Sequence, residues 1–170
     1  MSHVTAGKAL MDPEQMNTGD LDRIAIEAAI ASLSDKLEFV YGQKTYRWVG
    51  QWYNDYHAED AAYKQGVKVK DYGKCEHVIR FRDDPDAAEI GLVRLPNGML
   101  APVFDTYASR GHELEEIVGG YGAPRLTHQF AVAKVIAAAK LNAKHTVKRV
   151  EKLADGRTRI LIGVRQAEKL

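Results

Sequence analysis

The sequence lacks several features that define common classes of protein, and each absence excludes one of those classes. Cys75 is the only cysteine, so an internal disulfide and a cysteine-built zinc site are both excluded. No apolar run approaches the roughly 20 residues that span a bilayer. The first eight residues also lack the continuous apolar segment of a signal peptide. We therefore expect a cytoplasmic protein that does not associate with a membrane.

Net charge is nearly absent over the whole chain, but the two ends differ strongly. Residues 121–170 contain eleven Lys and Arg against three acids, a balance of +8, so the first 120 residues carry −7. Two interpretations of this difference are open. The basic residues either form a solvated face of the hairpin or bind an anionic partner near the C-terminal strands.

A stretch from Gly119 to Asn142 organises the predicted fold. Glycines open it, Thr127 is the predicted N-cap, and the helix that follows ends at Asn142. Val132, Val135 and Ile136 begin an apolar stripe at helical spacing, which we expect to be the buried face.

Strand and turn patterns complete the predicted architecture. A helix is expected over 21–33, and strands over 37–41, 75–82, 89–95 and 100–104, with short connections that favour an antiparallel meander. Residues 145–153 and 158–164 alternate on either side of an Asp-Gly turn, the pattern of a hairpin. The sequence thus predicts an arm over 1–19 and one α+β domain over 20–170. That domain has a mostly antiparallel sheet, helices packed on one face, and a C-terminal helix followed by a β-hairpin.

Short motifs spread along the chain resemble those of a known family. They are Met1-Ser2-His3-Val4, His77-Val78-Ile79-Arg80, Glu89-Ile90-Gly91-Leu92-Val93, Val103-Phe104-Asp105-Thr106-Tyr107, Gln129-Phe130-Ala131-Val132 and Asp155-Gly156-Arg157-Thr158-Arg159-Ile160. In this order they resemble the uncharacterised plastid, cyanobacterial and phage family catalogued as domain of unknown function one-two-five-seven.

The chain departs from that family in its greater length and in its aromatic insertion near Trp52. It also has Tyr107 where an aromatic-glycine pair is usual. The resemblance implies a cytosolic or stromal protein, with a phage origin among the options. It implies no known activity and supplies no catalytic residues.

The glycine-rich turn is the first candidate site. Free amides at a helix N-terminus, its dipole and an Arg together favour an anion such as a nucleotide. The alternative is a tight turn that lets the helix pack closely, and the spacing is neither a P-loop nor a dinucleotide fingerprint. The candidate residues are Gly119, Gly120, Tyr121, Gly122, Arg125, Thr127 and His128.

Two further surfaces are candidates for binding a macromolecule. An aromatic-rich insertion near 51–66 either contacts a partner or packs against the sheet, and it contains Trp52, Tyr53, Tyr56 and His57. The basic face of the C-terminal hairpin comprises Lys148, Arg149, Arg157, Arg159 and Arg165.

No pattern in the chain is typical of catalysis or metal binding. The His57 and His112 regions are rich in acids but lack metal-ligand spacing. Cys75 and His77 are expected on one face of a strand, where a buried structural cysteine is a commoner role than a nucleophile. We expect no metal, no cofactor and no catalytic residue.

The sequence therefore favours a non-catalytic binding or adaptor protein that engages a protein partner, with homo-oligomers included. The first alternative is a protein that sequesters an anionic small molecule at the glycine-rich loop. The second is nucleic-acid binding through the basic hairpin, which has few aromatics for base stacking.

Overall fold

The structure, a computed structural model, describes residues 4–9, 11–47 and 73–166. Its helices are α1 (Leu21–Leu33), α2 (Gly111–Val118) and α3 (Pro124–Leu141), with a 3₁₀ turn over Pro13–Gln15. Its strands are β1 (Val4–Ala6), β2 (Leu37–Val40), β3 (His77–Phe81), β4 (Ile90–Arg94), β5 (Leu100–Asp105), β6 (His145–Lys152) and β7 (Thr158–Val164). The predicted insertion, with Trp52, Tyr53, Tyr56 and His57, lies outside the described residues.

Two antiparallel sheets contain all the described strands. The larger has five strands in the order β1-β5-β4-β3-β2, and the smaller is the β6–β7 hairpin. The meander β3-β4-β5 follows from its short connections, since Leu95 and Met99 close a turn over Asn97 and Gly98. The prediction of an α+β fold that ends in a helix and a hairpin is confirmed.

The three helices pack on one face of the five-stranded sheet and enclose the main core. Alternation along each strand directs its large apolar side chains to that face. The core combines Ile79, Phe81, Ile90, Leu92 and Phe104 of the sheet with Ile26 and Ile30 of α1, Leu114 and Val118 of α2, and Leu126 and Phe130 of α3.

A smaller apolar cluster lies on the opposite face of the sheet. It contains Val78, Val93 and Val103, with Tyr46 and Cys75 packed over them. The Tyr46 ring lies directly on the backbone of β4, because Gly91 has no side chain there and a β-carbon at that position would overlap the ring. Glycine at this point therefore permits close approach rather than a turn.

The N-terminal segment, predicted as an extended arm, supplies one strand of the sheet and two side chains of the core. Val4–Ala6 pairs with β5 as an edge strand, in the register Thr5↔Phe104. Met11 bridges Leu100 and, with Met16, is almost completely buried in the core. Sequence patterns missed this because a three-residue strand carries too few alternations to be detected.

Helix α3 begins earlier than predicted, and its most deeply buried large side chains lie outside the predicted stripe. Its N-cap is Ala123 and its first residue is Pro124, so Thr127 lies inside the helix. The deeply buried positions include Leu126 and Phe130, whereas Val135 of the predicted stripe is 46% exposed. Apolar residues occur on all sides of this helix, so its periodicity could not identify which side faces the sheet.

A buried carboxylate links three segments of the fold. Asp22 of α1 is completely buried, and its Oδ2 accepts the backbone N–H of Asp12 at 2.5 Å. Its Oδ1 lies 2.8 Å from Nζ of Lys134 on α3, whose side chain is 37% exposed. A buried charge is tolerated when it is paired and hydrogen-bonded, so this contact orients both helices and the loop before α1.

Asp22→Asn is expected to destabilise the protein by about 1–3 kcal/mol, because the isosteric amide removes the charge that attracts Lys134. Urea unfolding measures the change. The matched control is Glu27→Gln, which removes the exposed pair with Arg23 on the same helix and should cost less than about 0.5 kcal/mol. Equal losses for the two variants would contradict the role assigned to Asp22.

Candidate functional site

The backbone amides of the glycine-rich loop are engaged within the protein. Gly119 and Gly120 donate to the carbonyl of Glu115 at 3.0 and 2.8 Å, which terminates α2. Gly122 donates to Thr5 Oγ1 at 2.7 Å. Proline as the first residue of α3 has no N–H to offer. The three glycine amides are therefore not available to an anion.

Electrostatics at the same loop also disfavour an anion. A cleft of about 610 Å³ is lined by His112, Glu115, Glu116, Gly119, Gly120 and Arg125. The Arg125 guanidinium donates to the carbonyls of Glu116 and Ile117, at 3.2 and 3.5 Å. It thus compensates the negative end of α2, while two carboxylates line the rest of the cleft.

Tyr121, Thr127 and His128, also predicted at this site, are not among the residues that line the cleft. Thr127 Oγ1 is buried and has no hydrogen-bond partner among the described residues. His128 Nε2 lies 2.9 Å from Thr158 Oγ1, so its ring joins α3 to β7. Tyr121 is 58% exposed. The geometry supports the alternative interpretation, a tight turn that joins α2 to α3.

The C-terminal hairpin is held by its turn and lies against α3. Leu153 N–H donates to the carbonyl of Arg157 at 2.8 Å, and Gly156 N–H donates to Leu153 at 3.0 Å. Gly156 has φ of +84°, as the left-handed position of this turn requires. Asp155 accepts from Arg157, whose hydrogen bonds lower the pKa of this carboxyl. Helix α3 packs mainly against α1, and of the two hairpin strands β6 is the nearer to it.

Register and contacts assign every hairpin side chain to an inner face, toward α3, or to an outer face. Thr158 contacts His128, so the residues that alternate with it belong to the inner face. The inner face contains His145, Val147, Val150, Lys152, Thr158, Ile160, Ile162 and Val164. The outer face contains Thr146, Lys148, Arg149, Glu151, Arg159, Leu161, Gly163 and Arg165.

Four of the five residues predicted as a basic face share the outer face. Lys148 lies along Gly163, and Arg165 donates to Thr146 Oγ1 at 3.3 Å. Arg149 and Arg159 both pair with Glu151, the latter at 3.8 Å. The fifth, Arg157, lies at the turn, where it pairs with Asp155 at 2.6 Å.

Exposed aliphatic side chains lie on both faces of the hairpin, Leu161 on the outer face and Val150 and Val164 on the inner face, and sequence reasoning did not single them out. Leu161, beside Arg149 on the outer face, is 52% exposed, and Val150 and Val164 are 48% and 67% exposed. Their strand positions signal half-buried surface, but a two-stranded sheet has too little neighbouring structure to cover them. The hairpin therefore presents a mixed apolar and basic surface.

Cys75 and His77 lie on opposite faces of the sheet, contrary to the predicted shared face. The strand begins at His77, so alternation does not extend to Cys75, which joins the smaller apolar cluster. Cys75 Sγ donates to the carbonyl of Gln43 at 3.2 Å. Burial, reinforced by the charges of Glu89 and Glu76, raises the pKa of this thiol to about 12. The pair cannot act as a nucleophile and its base.

His77 is buried, with one ring nitrogen and one ring face in contact with neighbouring residues. Its Nδ1 accepts the N–H of Gly42 at 2.9 Å, and the Tyr41 ring stacks on it with 4.7 Å between centroids. Burial lowers the pKa of His77, and the positive charge of Lys44 acts in the same direction. Protonation at Nδ1 would remove the acceptor for Gly42.

Within the described ranges, no group of three or more His, Cys, Asp or Glu is placed to hold a metal ion. No helix in the same ranges has the length and apolar content needed to cross a membrane. A scan against protein-family models, a search of curated proteins and a search of solved structures each find no match. The family resemblance, the partner and the activity therefore stay predictions.

Because of His77, the protein is expected to lose stability as the pH falls below about 6.5, the ordinary pKa of a histidine in an unfolded chain. Its folded-state pKa lies below the unfolded value, so the unfolded chain binds more protons as the pH falls and unfolding is favoured. His77→Asn keeps an acceptor for Gly42 but does not titrate, so thermal unfolding should show a shallower decline with falling pH. The control is His112→Asn, at an exposed side chain. Identical pH profiles for wild type and His77→Asn would contradict this.

Cys75 is expected to be unreactive in the folded protein. A thiol of pKa about 12 is thiolate to about one part in ten thousand at pH 8. Reaction with a chromogenic aromatic disulfide should be at least about 100-fold slower in buffer than in denaturant. Ser109→Cys in a Cys75→Ala background provides the exposed control. Equal rates for Cys75 in buffer and in denaturant would refute its burial.

Proposed function

We propose that this chain is a non-catalytic binding protein that engages a protein partner through the C-terminal hairpin. The observation that carries the proposal is the outer face of β6–β7, which four cations share with the exposed Leu161. This face lies away from α3 and from the main core.

Burial of the exposed aliphatic side chains supplies the driving force for such binding. Full burial of one Val or Leu side chain stabilises a complex by about 1.5–3 kcal/mol. Arg is enriched at protein interfaces, where its flat guanidinium packs and donates hydrogen bonds at once. Arg149, Arg159 and Leu161 provide this combination on adjacent strands.

The charge pattern favours a protein over a nucleic acid. Glu151 lies within the basic face and pairs with Arg149 and Arg159, so a carboxylate would approach any phosphate bound there. The hairpin strands carry no Phe, Tyr or Trp for base stacking. Nucleic-acid binding is the second candidate, since a two-stranded ribbon with one cationic face fits the major groove of DNA.

Selection of ligands from a displayed random-peptide library tests the proposal. Ligands that bind the wild type should bind the variant Leu161→Asp/Arg165→Asp at least tenfold more weakly, because both changes lie on the outer face. The matched control is Tyr121→Asp/Arg47→Asp, which makes equivalent exposed changes outside the hairpin.

Two results would overturn the protein-partner proposal. One is that no selected ligand loses tenfold in affinity on the outer-face variant. The other is binding to a DNA duplex or a single strand that weakens steeply between 50 and 200 mM salt, the mark of phosphate contacts, together with loss of that binding in the same variant.

A further inference from the structure

We infer that the free edge of β7 binds an extended acidic segment of the partner as a third strand of the hairpin sheet. This inference rests on the proposed function and specifies how the partner binds and which kind of segment it presents. Three features of the described residues carry it: the regularity of the β7 edge, the direction of its backbone groups and the charge beside it.

The two edges of the hairpin differ. Strand β6 has a register irregularity between Val147 and Arg149, which leaves Lys148 outside the regular pairing. Bulges of this kind disrupt the edge on which they lie and hinder the addition of another strand. Strand β7 is regular over Thr158–Val164, contains no proline and pairs with no other described strand. The edge of β7 is therefore the one suited to strand addition.

Hydrogen bonds at both ends of the hairpin fix which backbone groups of β7 face outward. Arg157 accepts from Leu153 near the turn, and Arg165 donates to Lys144 at 2.7 Å at the other end. Alternate residues of an antiparallel strand bond to the same neighbour, so the odd-numbered residues of β7 bond to β6. The N–H and C=O groups of Thr158, Ile160, Ile162 and Val164 consequently point to the free edge.

Side chains next to that edge define the ligand. An added strand would place alternate residues beside Ile160, Ile162 and Val164 on the inner face, where apolar side chains fit. Its other residues would lie beside Arg159 and Arg165, where acids fit, and beside Leu161 and Gly163. The Lys148 side chain lies over Gly163, so an aromatic ring opposite Gly163 would contact this cation. The matching antiparallel segment is Glu-Val-Tyr-Val-Ile-Val-Glu.

The same charges disfavour a second copy of this chain as the occupant. Antiparallel pairing of β7 with its own copy about a twofold axis would bring Arg159 and Arg165 next to the arginines of the copy. Like charges in neighbouring cross-strand positions destabilise a sheet. The acidic segment of another protein relieves this repulsion and adds ion pairs.

Fluorescence anisotropy with the labelled acidic heptapeptide, flanked by Gly-Ser linkers, tests the inference on the full chain. Binding is expected, and replacing both peptide glutamates by lysine should weaken it at least tenfold. Methylation of alternate peptide nitrogens, on the side that faces β7, should also weaken it at least tenfold, since this removes backbone donors while keeping every side chain. Simple charge attraction would survive the methylation and would overturn strand addition.

Matched proline variants identify the edge without changing the peptide. Val164→Pro and Val150→Pro each remove an amide that points away from the hairpin ladder, on β7 and β6 respectively. Val164→Pro should weaken binding at least tenfold and Val150→Pro should not. The opposite result would overturn the assignment to β7. Val164→Ala, which keeps the amide, should bind within threefold of wild type.

Outcomes for the peptide and for the displayed ligands separate the two proposals. Failure of the heptapeptide to bind would overturn the inference about the edge. In that case, displayed ligands that still depend on Leu161 and Arg165 would leave the proposed function standing. A wild-type dimer in light scattering that Val164→Pro converts to a monomer would show that a second copy occupies the edge, and would overturn the acidic segment.

Discussion

The carboxylate of Asp22 is the constraint on which the arrangement of the helices depends. A charge at a fully buried position is stable only where its partners are fixed, and here they come from the loop before α1 and from α3. Helix α3 is followed in the chain by β6, and His128 of the same helix contacts Thr158 of β7. The apolar core supplies most of the stability, but apolar contacts have no preferred direction. A charged contact therefore fixes the relative position of two helices more strictly than apolar packing does.

Local signals predicted those parts of the fold that depend on a few neighbouring residues. Leu21–Leu33 has the bounds that its periodicity indicates, and the Asp155-Gly156 turn connects the strands that flank it. Prediction failed where distant residues decide. Thr127 has the chemistry of an N-cap, yet the helix extends back to Pro124, directly after a loop in which Gly122 donates to the distant Thr5.

The candidate site shows the same division between local and distant information. The cations of the hairpin share a face because alternation along a strand is a local rule. The state of the glycine amides is not local, since Gly122 is bonded across 117 residues to Thr5. The difference between the edges of β6 and β7 could not be predicted either, because the residue types around Lys148 do not indicate a break in register. The role of Leu161 is likewise not local, since its exposure depends on which residues pack beside it.

The position of β1 has a consequence for the order in which the chain acquires its structure. Val4–Ala6 pairs with residues 103–105, and Thr5 also receives the amide of Gly122. During synthesis these contacts must wait until more than one hundred further residues have been made, and closing so long a loop carries an entropic cost. The pairings of β3 with β4 and of β4 with β5 join residues much nearer in the sequence. The first strand in the sequence is thus among the last to join the sheet, and until then the outer edge of β5 is open to other chains.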